Sequence, residues 1–194
     1  MAEQIRDGKG KGFLAQVNSD NQLVTRATAI EQRLASAKDE NYYEATTGQI
    51  TLTDAAETGI IYLENTITSN LSIVIDRVFY DFWTSTGGTG ADGTLKYYTN
   101  PTITGGTIIT PNNTNLGSSK SATGNFYKSL TTISGTVWWT AYITDKISIA
   151  LEEGRIYIPV GNSFGISVAA PTGNTSMIVS INIAFYYINP ELIG

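Results

Sequence analysis

The sequence predicts an all-β chain, a β-sandwich preceded by an extended N-terminal arm, and three observations carry that prediction. From residue 42 onward, short β-branched and aromatic runs are separated by clusters of Gly, Asn, Pro and Asp, the pattern of a sandwich or barrel. Residues 177–188 alternate cleanly, with Val179, Ile181, Ile183, Phe185 and Tyr187 on one face and Ser180, Asn182, Ala184 and Tyr186 on the other. Residues 1–41, by contrast, are polar and sparse in large apolar groups.

These textures divide the 194 residues into an arm, 1–41, and a sandwich domain, 42–194. A domain of about 150 residues buries about two-thirds of the surface of its unfolded chain, so its core needs no metal or disulfide to hold it.

Within the arm, Asp7-Gly8-Lys9-Gly10-Lys11-Gly12 is a flexible basic stretch. Phe13–Val17 and Gln22–Thr25 flank the turn-prone Asn18-Ser19-Asp20-Asn21 and suit one small hairpin, too small to make a core. Over residues 28–38, Ala29, Ile30, Arg33, Leu34 and Ala37 have roughly helical spacing, while Thr25 to Glu31 also suits extended chain, so helix and strand both stay open.

In the sandwich, strands are expected near Tyr42–Thr46, Gln49–Thr53, Gly59–Asn65, Leu71–Trp83, Leu95–Thr99 and Thr107–Thr110. Further strands are expected near Phe126–Leu130, Thr136–Thr144, Lys146–Leu151, Arg155–Val160, Phe164–Ala170 and Met177–Ile188. Leu71–Trp83 carries Asp76, Arg77 and Asp81 in an apolar run and would extend about 44 Å unbroken, well beyond a usual strand, so a bend or bulge is expected inside it. Residues 84–125, rich in Gly, Asn and Ser, are expected to form exposed loops that carry contacts.

Composition narrows the chemistry. The chain has no Cys and no His, which excludes disulfides, thiolate zinc sites and cysteine nucleophiles and removes the commonest general base. Carboxylate or lysine catalysis stays chemically open, so a non-enzyme without cofactor or metal is the expectation rather than a proof. A net charge of −5 disfavours nonspecific nucleic-acid binding. No apolar run approaches the roughly 20 residues that span a bilayer, and Met1-Ala2-Glu3-Gln4 lacks the basic start of a secretion signal. No membrane partner is expected, and the Asn-x-Ser/Thr triplets at Asn70, Asn112 and Asn174 read as accidental.

The glycine-rich stretches fail as phosphate loops. Gly8-Lys9-Gly10-Lys11-Gly12 follows no strand and lacks the closing Lys-Ser or Lys-Thr, and Gly87-Gly88-Thr89-Gly90 leads into a strand instead of a helix. Asp39-Glu40 and Glu152-Glu153 read as solvated turns, and Arg77 is placed to pair with Asp76 or Asp81. The adjacent aromatics Phe82-Trp83, Trp138-Trp139 and Tyr186-Tyr187 point to opposite faces of a strand, so one of each pair needs a second apolar environment. A second sheet, a subunit contact or a sugar-stacking site would each supply it, and Trp83, Trp138, Trp139 and Tyr186 are the candidates.

Two stretches resemble a known group of proteins. Arg6-Asp7-Gly8-Lys9-Gly10-Lys11-Gly12-Phe13-Leu14-Ala15-Gln16-Val17, with Asn21-Gln22-Leu23-Val24-Thr25 behind it, resembles the N-terminal arm of tailed-phage structural proteins. Gly154-Arg155-Ile156-Tyr157-Ile158-Pro159-Val160-Gly161-Asn162-Ser163-Phe164-Gly165-Ile166-Ser167-Val168, with Ser176 to Tyr187, is similar to the end of a jelly-roll domain in the same proteins. The resemblance touches both ends of the chain and leaves the middle loops unmatched.

It implies a jelly-roll form of the sandwich and the role of a capsid cement or decoration protein, commonly trimeric, whose arm reaches over neighbouring capsomers. The implied partners are the major capsid protein of a phage head and further copies of this chain, and the implied location is the virion, supplied from the host cytoplasm. Arg6, Asp7, Lys9, Lys11, Phe13 and Leu14 would anchor the arm to the capsid. Other members of the group are head fibres or tail components, so a receptor- or glycan-binding head, or a tail adaptor, is the alternative. A carboxylate-based glycan hydrolase ranks behind both.

Overall fold

Each run of β-branched and aromatic residues becomes a strand. The computed structural model describes residues 4–6, 12–14, 16–17, 23–24, 36–52, 56–66, 71–84, 93–143, 148–171 and 177–188. The chain divides into two compact units, Met1–Glu31 and Gln32–Gly194, so the division falls ahead of the composition change at 41/42.

Among its described residues the first unit holds two short ribbons. Strand β1 (Gln4–Arg6) pairs antiparallel with β2 (Gly12–Leu14), and β3 (Gln16–Val17) with β4 (Leu23–Val24). The second is the hairpin expected around Asn18–Asn21. The first was not anticipated, because Gly8 to Gly12 reads as a linker.

The second unit opens with a helical turn, Ser36–Lys38; residues 28–35, also in question for a helix, lie outside the described residues. There follow β5 (Tyr42–Thr46), β6 (Ile50–Leu52), β7 (Glu57–Glu64), β8 (Ser72–Thr84), β9 (Gly93–Thr104) and β10 (Thr107–Ile108). After these come β11 (Asn112–Asn113), β12 (Asn125–Leu130), β13 (Thr132–Ile143), β14 (Ser148–Ile158), β15 (Ser163–Ala169) and β16 (Met177–Ile188). They form two antiparallel sheets, β10-β12-β7-β15-β9-β13 and β11-β5-β16-β8-β14, with β6 also on β16. The long pairings are nested, β5 with β16, β7 with β15, β8 with β14 and β9 with β13. A ribbon of paired strands wound on itself in this way is a jelly roll.

The two inner faces meet in one core. From β16 come Val179, Ile181, Ile183, Phe185 and Tyr187, the face read from the sequence; from the facing sheet come Ile61, Leu63, Leu95, Phe164, Ile166 and Val168. Each such aliphatic side chain, fully buried, contributes roughly 1.5–3 kcal/mol.

The bulge expected in β8 falls at Asp76. Ala184 faces Arg77 and Phe185 faces Ile75, so Asp76 is the extra residue, and on the β14 side the register also shifts, between Glu152 and Ile156. The bulge reconciles the sequence with the pleat: Ile73 and Ile75 point inward before it, Val78, Tyr80 and Phe82 after it, and Asp76 and Arg77 both stay outside. The same irregularity in β14 makes one strand of what reads as two around Gly154.

The chain between β9 and β12 is exposed along much of its length but anchored at both sheets. Ile109 N–H donates to Phe126 O (2.8 Å), Thr114 N–H donates to Tyr42 O (3.0 Å), and the Tyr187 hydroxyl donates to Thr123 O (2.6 Å). It therefore closes one side of the sandwich. On the other side the two sheets end in β13 and β14.

Beyond Asn100, β9 and β13 run on together past the start of β15 and fold over the outer face of their own sheet. Asn100 takes φ 46°, a left-handed bend that asparagine tolerates better than most residues. Contacts locate the folded ribbon: a Cβ at Gly165 would lie 2.7 Å from Ile133 Cδ1 and 3.0 Å from Pro101 Cγ, and one at Gly59 would lie 3.1 Å from Ile133 Cγ2. Two bare backbone positions thus let a third layer rest on β7 and β15.

Candidate functional site

At the open side, β9, β13, β14 and the turn before β15 border a cleft of about 330 Å³. Its wall includes Thr99, Asn100, Trp138, Tyr157, Asn162 and Ser163, and among the described residues no charged side chain lines it. Trp138 is here because of a second bulge: Val137 faces Tyr98 and Trp139 faces Tyr97, leaving Trp138 as the extra residue. The expected alternation of Trp138-Trp139 therefore fails. Both rings lean on Tyr97, with centroids at 5.5 Å for Trp138 and 4.8 Å for Trp139. Trp139 packs against the core, while Trp138 stays 50% exposed.

The polar wall is preset by its own hydrogen bonds. Asn100 Nδ2 donates to Asn162 Oδ1 (2.9 Å), Ser163 N–H donates to Asn100 Oδ1 (2.8 Å), and Asn162 Nδ2 donates to Val160 O (3.3 Å). Each amide nitrogen carries two hydrogens, so each has one more to offer a ligand. Tyr157, 41% exposed, donates its hydroxyl to Ser72 Oγ (2.6 Å) and keeps acceptor capacity on its oxygen.

A second hollow, about 440 Å³, lies under the folded ribbon and is bordered by Glu57, Tyr98, Ile133 and Val137. Glu57 is held by three donors: Lys96 Nζ at 2.6 Å, Ser167 Oγ at 2.6 Å and the Tyr98 hydroxyl. Burial pushes its carboxyl up, but the hydrogen bonds from Lys96, Ser167 and Tyr98 outweigh that and hold it below the ordinary value. The Glu57 carboxylate holds Lys96 above the ordinary lysine value. A carboxyl depressed in this way is ionised at neutral pH and is no general acid.

On the opposite sheet, Asp76 is 4% exposed and accepts from the Tyr42 hydroxyl (2.7 Å) and from Arg77 Nε (3.2 Å). Arg77 also donates from Nη2 to the Tyr42 oxygen (3.3 Å) and lies 5.5 Å from the Phe79 ring centre. The ion pair expected of Arg77 thus joins sequence neighbours at a bulge. Burial first, with Asp76 beside it, pushes the Tyr42 phenol from 10.0 up to about 12 against the lowering pull of Arg77.

The remaining expected residues are scattered. Trp83 stands on β8, 42% exposed, away from the cleft wall. Tyr186 is 9% exposed and stacks on Tyr42 (6.2 Å) in a small cluster with Val74 and Ala184, against which Ala37 of the helical turn packs. Its second apolar environment is therefore inside this chain. Arg6 lies on β1 and Phe13 and Leu14 on β2, with Phe13 opposite Ile5; Asp7, Lys9 and Lys11 lie outside the described residues. Sequence reasoning missed Asn100, Tyr157 and Asn162, which come from three separate segments.

Among the described residues no cluster of carboxylates could hold a metal ion, and no helix is long and apolar enough to cross a membrane. No protein-family model, no curated protein and no solved structure matches the chain.

Proposed function

We propose that the chain is a non-enzymatic structural protein of a tailed-phage virion, a capsid cement or decoration protein that clamps neighbouring major capsid subunits as a homotrimer. The observation that carries this reading is the division of the chain: a jelly roll with its own core, and a separate unit, Met1–Glu31, of ribbons with strands of three and two residues. Two-stranded ribbons that small are at best marginal in water, and a partner surface supplies what they lack. The resemblance of both chain ends to phage structural proteins supplies the setting.

The placement of two well-held acids favours a non-enzymatic role. Glu57 and Asp76, each held by several donors, lie on the outer faces of opposite sheets, so they cannot act as a paired acid and base across one substrate. The test is deletion of residues 1–27. The remaining chain should keep its β-sheet circular dichroism but lose binding to phage heads and the heat protection that binding confers. Full binding and protection by the truncated protein would defeat the clamping arm, and a monomer in sedimentation equilibrium would defeat the trimer.

A further inference from the structure

We propose that the cleft beside Trp138 is a binding site for an uncharged saccharide, a neutral hexose or N-acetylhexosamine unit of a longer glycan. A pyranose ring presents a C–H face, which sits on an aromatic plane, and a rim of hydroxyls, which both donate and accept hydrogen bonds. The cleft supplies the counterpart of each. Trp138 offers a half-exposed indole, set out of the pleat by a bulge whose other effect is to break the ladder between Val137 and Trp139. Bulges commonly re-aim a side chain in this manner beside a binding site.

In the wall that also holds the indole, Asn100 and Asn162 are locked to each other at 2.9 Å, so their remaining amide hydrogens are fixed in direction before any ligand arrives. Preset donors cost a ligand little ordering. Ser163 and Thr99 add side-chain hydroxyls to the wall, and β14, the edge strand of its sheet, adds backbone groups not used in its pairing with β8. Among the described residues no charged side chain lines the site, and an anionic sugar or a phosphate finds no counter-ion among them to offset its desolvation. At about 330 Å³ the cleft sits at the low end of the roughly 300–1,000 Å³ typical of small-ligand sites, which fits one or two sugar units rather than a long chain.

The same Asn100 that turns β9 out of its sheet also lines the cleft and keeps one amide hydrogen unused, so the bend and the donor are one residue. The inference stands separately from the capsid reading, since a decoration protein and a tail component could each carry such a cleft.

The experiment is a titration of the full chain with N,N′-diacetylchitobiose, cellobiose, maltose and lactose, with sialyllactose and glucose 1-phosphate as charged controls. Indole fluorescence and two-dimensional amide NMR are the readouts. At least one neutral sugar should bind with a dissociation constant below about 10 mM, shifting the Trp138 indole and the Asn100 and Asn162 side-chain amides but not Trp83. Trp138→Ala should weaken binding by about tenfold or more, Trp138→Phe should restore part of it, and Trp83→Ala should leave it unchanged. Where Trp138→Ala unfolds, the NMR map on the unaltered protein decides. The proposal is overturned if none of the four neutral sugars binds, if a charged control binds more tightly, or if the shifts centre away from the cleft.

Discussion

The Tyr42 hydroxyl and the Asp76 carboxylate meet at 2.7 Å on the outside of a sheet, where a bulge admits one residue more than the ladder needs. That contact joins the first strand of the sandwich to the middle of β8, and Arg77 Nη2 reaches the same Tyr42 oxygen. Replacing Asp76 by Ala leaves a buried phenol without its acceptor and should cost about 2 kcal/mol, while Tyr42→Phe should cost less, because Arg77 Nε still donates to the Asp76 carboxylate. Urea denaturation of the two variants checks the order. Equal stability of Asp76→Ala and the parent would show that the bulge is held by packing alone.

The same phenol gives an alkaline signature. Its folded value, raised from 10.0 to about 12, means that the folded state resists ionisation, so this group's stabilisation is complete below 10.0 and is lost as pH rises through about 12. Ultraviolet titration of tyrosine ionisation should show Tyr42→Phe removing one late-titrating phenol. Removal of an early one would contradict the burial of Tyr42.

Acid acts at the other face. Glu57 lies below its ordinary value in the fold, so its contribution is present above the ordinary carboxylate range and is lost as pH falls through the lower folded value. Lys96, raised in the fold, loses its share only as pH climbs through its folded value. Both side chains are about one-third exposed, so the effect is modest. Melting temperature measured from neutral to acid pH should fall less steeply in Glu57→Gln than in the parent, and parallel curves would remove Glu57 from the acid response.

Gly59 lies beneath the folded ribbon, where an added Cβ would sit 3.1 Å from Ile133 Cγ2 of the ribbon and 2.8 Å from the Cβ of Leu130, its ladder partner on β12. A Cβ cannot retreat without its backbone. Gly59→Ala should therefore destabilise by about 1–3 kcal/mol and loosen the ribbon, seen as faster amide exchange at residues 101–104 and 132–135. An unchanged exchange pattern would mean that the ribbon does not rest on β7.

In the core, the Tyr97 hydroxyl is buried with no hydrogen-bond partner among the described residues. Burial alone pushes its phenol far up. Tyr97→Phe removes an unsatisfied group and keeps the ring that Trp138, Trp139 and Phe164 pack against, so stability should stay level or rise by about 1 kcal/mol. A loss of more than about 1 kcal/mol would reveal a partner for that hydroxyl.

Where burial follows a plain period of two, the sequence is readable: β16 has the bounds expected of it, and the inner face of β8 can be followed through Asp76 once the doubled charge Asp76-Arg77 is taken as the mark of a bulge. Where an extra residue carries no charge, the mark is lost. Trp138-Trp139 gives no sign that one more residue interrupts the pleat, so alternation assigned the two rings to opposite faces. The strands expected at Leu95–Thr99 and Thr136–Thr144 stop short of Pro101 and Gly135, whereas β9 and β13 run through them, because an edge ribbon tolerates residues that a central strand excludes. The cleft was legible only through Trp138. Its amides, Asn100 and Asn162, look like ordinary turn residues until the fold sets them side by side.

Strand β16 lies in the middle of its sheet, between β5 and β6 on one side and β8 on the other, yet it is the last of the described strands to leave the ribosome. Until it arrives, β5 and β8 have nothing between them and two long edges stand open to other chains. Translation at about 5–20 residues per second leaves that interval open for seconds, so the sheet is completed only once residues 177–188 are free of the ribosomal tunnel. A nascent chain stopped before residue 177 is thus an aggregation hazard. A chain that lacks the first unit is not, because every strand of the sandwich is still present to close it.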